Sequence, residues 1–128
     1  MKKTFGFMMV GTNNLTDSEI FYSAIFVPLD LSKVLTTERY IGYAQKDNPQ
    51  EIKFYITKPV NKKPATYGNG TQISFLVDSK KKVEEFHAIG VKNGGTNEGS
   101  PLIRSGDYYA YIRDLDGNKI CAYCILDK

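Results

Sequence analysis

Slid against itself by 65 residues, the chain repeats its own pattern, and that repeat narrows the possible folds more than any other feature. Phe21 falls opposite Phe86, while Met8, Val10 and Thr12 fall opposite Ile73, Phe75 and Val77. Each half reads as strand, helix, then three strands, which predicts an α+β fold made of two βαβββ units. Few residues are identical between the halves, so what repeats is the placement of apolar positions. At 128 residues the chain amounts to a single domain, long enough to bury a core without staples.

In the first half, Phe5, Phe7, Met8, Met9 and Val10 form a short strand that ends at Gly11. Thr16-Asp17-Ser18-Glu19 reads as a capping box, and Ile20, Phe21, Ala24 and Ile25 recur at helical spacing. A helix over 17–26 follows, stopped by Pro28, and then three strands at about 30–36, 40–44 and 52–57. Ile52, Phe54 and Ile56 alternate with Lys53, Tyr55 and Thr57 and are expected under the helix. Residues 59–70 are dense in Pro, Gly, Asn and Lys and read as a linker, so module 1 spans about 4–58 and module 2 about 71–128. Module 2 opens with a strand in TQISFLVDS and has Ser79 as N-cap of a helix marked by Val83, Phe86 and Ile89. Three strands follow Gly94–Gly95, with breaks near Gly99–Pro101, Ser105–Gly106 and Asp116–Gly117.

Several function classes are disfavoured at this point. The net charge is only +3 with 24% charged residues, and the lysines at 62–63 and 80–82 read as solvated faces, so no nucleic-acid partner is expected. The start, MKKTFGFMMVGTNN, imitates a signal peptide, but only residues 5–10 are apolar, short of an h-region of roughly 7–15 residues. No apolar run approaches the roughly 18–20 residues of a membrane span. Two cysteines without an export signal point to a cytoplasmic protein with reduced thiols.

The stretch DLDGNKICAYC (residues 114–124) combines three possible signals. As an EF-hand it fails, because Gly117 stands fourth from Asp114 rather than sixth. As a CxxC centre it fails on geometry, because residues three apart on a strand point to opposite faces. As a hairpin it succeeds with a three-residue turn, Leu115-Asp116-Gly117, Gly117 taking the left-handed position. Ile112 then faces Ile120, Ala110 faces Ala122 and Tyr108 faces Cys124, giving one apolar face for the helix to cover. Tyr109, Tyr111, Cys121 and Tyr123 share the other face. The same alternation sends Ile73, Phe75 and Val77 under a helix and turns Gln72, Ser74 and Leu76 away from it. In module 1, Met8 and Val10 go under the helix, leaving Phe7, Met9 and Tyr55 outward. A second face so apolar and aromatic implies a concave pocket or a subunit contact.

These stretches resemble the vicinal oxygen chelate superfamily, which includes glyoxalase I, bleomycin and fosfomycin resistance proteins and extradiol dioxygenases. NNLTDSEIFY is similar to the family's D-L-x-x-S-x-x-F-Y opening, with Asn14 in place of Asp. GTQISFLV resembles the start of its second module, and VEEFHAIG with Gly94–Gly95 resembles its second helix. YYAYIRDLDGNKI resembles the closing Y-Y-A-x-x-x-D-P-D-G-N signature, with Leu115 in place of Pro. The resemblance covers nearly the whole chain. It implies a mixed sheet in which each βαβββ module curls into half of a cup, and frequently a homodimer. In metal-using members, four ligands point into the cup from the first and last strand of each module. Carried over by position these become Phe7, approximately Tyr55, Gln72 and Cys121. Phe cannot ligate and Tyr is a poor ligand for hard divalent ions, so no metal and no other cofactor is expected.

The cup face so defined holds Phe7, Met9, Tyr55, Gln72, Ser74, Tyr109, Tyr111, Cys121 and Tyr123, with Arg104 at the rim. Gln72 reads either as a remnant ligand or ligand-orienting amide, or as a polar group satisfied within the cup. Cys121 reads as a small buried hydrophobe rather than a nucleophile, because the single histidine, His87, lies on the second helix. Arg104 could hold an anionic group or be an ordinary surface arginine, and the tyrosines could stack on a planar ligand or fill the cup. The functional expectation is a metal-free cup for a small aromatic or amphipathic molecule. A metal-dependent glyoxalase-like lyase or isomerase (lactoylglutathione lyase-like) and a structural dimer with a filled cup are the alternatives.

Overall fold

A computed structural model of the chain describes residues 3–127. The first unit runs β1 (Met8–Gly11), α1 (Leu15–Ile25), β2 (Leu31–Thr36), β3 (Tyr40–Gln45) and β4 (Ile52–Thr57), with a 3₁₀ turn at Val27–Leu29 after α1. The second runs β5 (Ile73–Leu76), α2 (Lys80–Lys92), β6 (Thr96–Arg104), β7 (Asp107–Arg113) and β8 (Lys119–Cys124). Strand order is β1-β4-β3-β2 in one sheet and β5-β8-β7-β6 in the other, so the repeat read from apolar spacing is also a repeat of topology. In each, the first strand runs parallel to the last and the others are antiparallel. Among the described residues no ladder joins the sheets, and β1 and β5 are each paired on one side only. No helix of the described residues is long and apolar enough to cross a membrane.

One core serves both units. Phe21, Tyr22 and Ile25 of α1, with Phe26 at its C-cap, meet Phe54 and Ile56 of β4, Phe86 of α2, and Ile112, Ile120 and Ala122 of the second sheet. The Phe26 ring touches Tyr43 and Phe54 of the first sheet and Phe75 of the second, at centroid distances of 5.0, 5.2 and 5.4 Å. Close backbone approach carries part of the packing. A Cβ on Gly95 would stand 2.8 Å from the Gly90 carbonyl oxygen and 2.9 Å from that of Arg113. Both neighbours are backbone, so Gly95→Ala should destabilise the fold by about 1–3 kcal/mol, read from urea unfolding.

The β7–β8 hairpin has the three-residue turn expected. Ile112 pairs with Ile120, Ala110 with Ala122 and Tyr108 with Cys124, and Gly117 has φ 89°. Cys124 packs with Val83 and Ala110 on the helix side, whereas Cys121 stands opposite Tyr111 on the other; both thiols are free. The turn also clasps the two units together. Buried Asp114 accepts from Tyr22 Oη at 2.6 Å, from the Asp116 and Asn118 amides at 2.9 Å each, and from Asn118 Nδ2 at 2.9 Å. Asn118 Nδ2 also donates to the Gly11 carbonyl at 3.1 Å, and the Asn13 amide donates to Asp116 Oδ1 at 2.8 Å.

Four local expectations are corrected. The helix begins at Leu15, and Asn14 rather than a Thr16 box caps it, its Oδ1 accepting from the Asp17 amide at 3.0 Å. Asn is as good an N-cap as Ser or Asp, and it stands two residues earlier. Ile52 is not under the helix. The ladder slips so that Ala44 pairs with Ile52 while Tyr43 pairs with Phe54, and the extra residue, Lys53, inverts the alternation. Ile52 therefore joins Tyr55 over Gly42, where an added Cβ would stand 3.1 and 3.2 Å from their side chains. Met8 is partly exposed because it lies on the free edge of β1. Gly99–Pro101 does not break the chain into two strands; β6 continues through it with two register shifts.

Candidate functional site

The outward face of the second sheet carries a row of parallel rings. Tyr109 stacks on Tyr123 at 4.9 Å with planes 9° apart, and on Tyr111 at 6.0 Å with planes 2° apart. The strand pairing builds this row, because Tyr109 lies opposite Tyr123, and Tyr111, two residues on, repeats the same face. All three side chains are half-buried, so their upper edges remain open. At the Tyr111 end, the Arg104 guanidinium carbon lies 5.3 Å and Lys119 Nζ 5.0 Å from the ring centroid. Arg104 Nη1 donates to the Tyr109 carbonyl at 2.7 Å, which fixes the side chain along the row.

Beside the rings, running from β8 to the edge strand β5, lies a short polar chain. Cys121 is fully buried and its thiol donates to Ser74 Oγ at 3.3 Å, while Gln72 Nε2 donates to the same oxygen at 2.9 Å. Burial pushes the Cys121 thiol up, against the smaller opposing effects of the Ser74 bond and of Lys119 and Arg104. It is a protonated, enclosed thiol rather than a nucleophile. Ser74 receives two donors, so its own hydroxyl proton is free to point outward from an exposed side chain. Burial likewise raises Tyr111, and the neighbouring Cys121 adds to this while Arg104 opposes it, so its hydroxyl stays a donor at neutral pH.

The first sheet has its own aromatic group. Phe7 meets Tyr55 edge-on at 4.9 Å, Tyr55 meets Tyr40 edge-on at 5.7 Å, and the Arg39 guanidinium lies 5.0 Å from the Tyr40 centroid. Phe7 and Met9 are 55% and 45% exposed, high for large apolar side chains on one surface. Among the described residues no ring contact joins this group to the Tyr109 row. A cavity of about 290 Å³ reaches both sheets, taking Phe5, Phe7 and Met8 on one side and Ile73, Ser74 and Leu76 on the other.

The residues expected on the cup face thus form two clusters. Tyr109, Tyr111, Tyr123, Cys121, Ser74, Gln72 and Arg104 come together, Phe7 and Tyr55 come together, and Met9 is exposed beside its register partner Tyr55. Sequence reasoning passed over Lys119, which follows from the same alternation as Cys121 and Tyr123, and over the Arg39–Tyr40 pair. It also passed over Gly99, whose lack of a Cβ lets the row close. A Cβ there would stand 2.9 Å from Tyr111 Cδ2 and 3.1 Å from Arg104 Nη2. Gly99→Ala should tilt Tyr111 out of the row while leaving the fold intact, visible as a change in near-ultraviolet tyrosine dichroism with a small change in urea midpoint.

The metal positions of the superfamily can be tested on the side chains found there. Phe7 offers no donor atom, Cys121 is a buried thiol that holds its proton, and Gln72, whose Nε2 donates to Ser74, leaves one neutral amide oxygen as the remaining donor of the three. Among the described residues no three His, Cys, Asp or Glu side chains lie close enough together to hold an ion. This donor set does not fit a hard divalent cation.

No family model and no curated protein matches the chain. Solved structures do. A glyoxalase/bleomycin resistance protein from Albidiferax ferrireducens T118 is 38% identical over 97% of this chain and 100% of its own, with a TM-score of 0.87. Fosfomycin resistance protein FosX from Mesorhizobium loti shares the fold at 16% identity, covering 98% of this chain and 95% of its own, with a TM-score of 0.70. Lactoylglutathione lyase from Agrobacterium tumefaciens shares it at 19% identity, covering 97% and 96%, with a TM-score of 0.66. Twin mixed sheets of identical strand order, the closing hairpin, and full-length similarity at that level of identity agree: this chain belongs to the glyoxalase/bleomycin resistance protein family, within the vicinal oxygen chelate superfamily.

Proposed function

We propose that this protein binds a small planar aromatic or amphipathic molecule on the tyrosine row, without a metal. The observation that carries this reading is the parallel Tyr111–Tyr109–Tyr123 row, held in register by its strands and left with open edges. A ring laid across its open edges gains edge-to-face contacts and apolar burial, and the Ser74 hydroxyl and Gln72 amide supply orienting polar contacts. The donor set described above supports the metal-free part.

A second copy of the chain completes the cup. Support comes from the free edges of β1 and β5 and from the exposed apolar side chains along them. Phe5 is 76% exposed, and Leu76 on β5 is 59% exposed. Two-fold pairing of β1 in one copy with β5 in the other would bring the Phe7–Tyr55 group of one chain over the tyrosine row of its partner.

Metal analysis of protein grown with added nickel, zinc, manganese and iron tests the first claim. The expected content is far below one ion per chain, and stoichiometric metal would overturn it. Light scattering during gel filtration tests the second, with a dimer expected and a monomer contradictory.

A further inference from the structure

The proposed binding reading leaves the charge of the ligand open, and two features beside the tyrosine row decide it. We propose that the ligand is a planar aromatic anion, with its ring on the Tyr109 row and its acidic group at the Tyr111 end, where Arg104 and Lys119 gather.

Both cations lie within 5.3 Å of one ring, that of Tyr111. Two cations gathered at one ring make the Tyr111 end of the row positive, and an anionic group placed there gains charge-assisted contacts. The nearest carboxylates are occupied. Glu98, which feels Lys119, is bound by Arg113 Nη2 at 3.0 Å, and that bond first and foremost holds its carboxyl below the ordinary range. Asp107 accepts from the Leu126 amide at 3.0 Å. Arg104 spends one nitrogen on the Tyr109 carbonyl, and its Nη2 lies beside the open position at Gly99. A guanidinium held this way presents its remaining N–H groups in a fixed direction, which suits a planar carboxylate or sulfonate.

The first module repeats the device independently. Its Phe7–Tyr55–Tyr40 group also ends in a guanidinium, that of Arg39, and Arg39 lines a cavity of about 540 Å³ with Lys58, Lys62 and Lys63 against the single carboxylate Glu38. An aromatic cluster that ends in a cation therefore occurs in each module of a chain whose halves share few residues.

The test uses 2-naphthoate and its neutral isostere 2-naphthamide as probes, titrated calorimetrically into the full-length protein. The naphthoate should bind about tenfold more tightly, as expected for two partly exposed charge-assisted contacts of about threefold each. That ratio should shrink toward unity in 0.5 M salt, and fall to about threefold in Lys119→Gln and in Arg104→Gln. Because the readout is a ratio within each protein, a general weakening of either variant does not mimic the result. Equal affinity for the two probes would overturn the anion proposal while leaving the aromatic surface standing. Binding of neither probe would overturn the binding reading itself. A preference for naphthoate that survives in both variants would overturn the assignment to these two residues.

Discussion

Asp114→Ala should lower the free energy of unfolding by about 2–4 kcal/mol, as expected for removing a buried carboxyl and leaving its four hydrogen-bond donors without their acceptor. The substitution strands the Tyr22 hydroxyl in the core, where burial, with Asp114 second, already pushes its pKa well above the ordinary phenol value. It also removes the acceptor for the Asp116 and Asn118 amides that hold the hairpin turn. Tyr22→Phe loses one bond and keeps the packing, so it should cost only about 1–2 kcal/mol. The double variant should cost less than the sum, because the two residues are partners. Urea melts of the four proteins give all three values; a loss below about 1 kcal/mol in Asp114→Ala would contradict the clasp. The pH dependence has a definite sign. Burial raises the Asp114 carboxyl in spite of the hydrogen bonds to Tyr22, Asn118 and Asp116 that oppose it, so the folded state holds its proton more tightly than the unfolded chain does. The stability difference between wild type and Asp114→Asn should therefore favour wild type most in acid, below about pH 4, and decline as pH rises through the raised value.

Phe26→Ala should cost a similar amount, about 3–5 kcal/mol, through the cavity it leaves. The ring is fully buried and touches both sheets, through Tyr43 and Phe54 on one and Phe75 on the other. The expected result is a single cooperative transition at lower urea, with fluorescence and far-ultraviolet dichroism superimposed. Two separated transitions would show that the modules fold independently, against the shared core.

Much of this architecture was legible in the residues, and the reasons differ from place to place. The closing hairpin could be read down to its pairing, because the phase of Tyr109, Tyr111, Ile112 and Ile120 allows only one turn length that keeps one face apolar. The repeat survived low identity because apolar periodicity depends on which side faces the core, not on which residue supplies it. The start of α1 was misread because Asn14 and Thr16 are both competent caps, and only the amide of Asp17 decides between them. Ile52 was misplaced because a bulge at Lys53 leaves no mark in an alternating sequence, yet turns Ile52 to the opposite face from Phe54 and Ile56. The Tyr22–Asp114 contact spans 92 residues between two separate signature stretches, and no local pattern reports such a bond. Asp114, read on its own, resembled a turn former or a cation ligand; its role as the acceptor that joins the units emerges only from three-dimensional packing. Lys119 was within reach of the same alternation that places Cys121, but a lysine next to a turn reads as a solvated side chain until its ring contact with Tyr111 is seen.

Aromatic-ring carbon–proton NMR during titration with 2-naphthoate tests the central claim, that the outward tyrosine row is a ligand surface, most directly. The account predicts that the ring signals of Tyr109, Tyr111 and Tyr123 move together and saturably, while those of the buried Tyr22 and Tyr43 stay in place. Saturable shifts confined to tyrosines away from the row, such as Tyr67, or no shift in any ring at saturating probe, would contradict it.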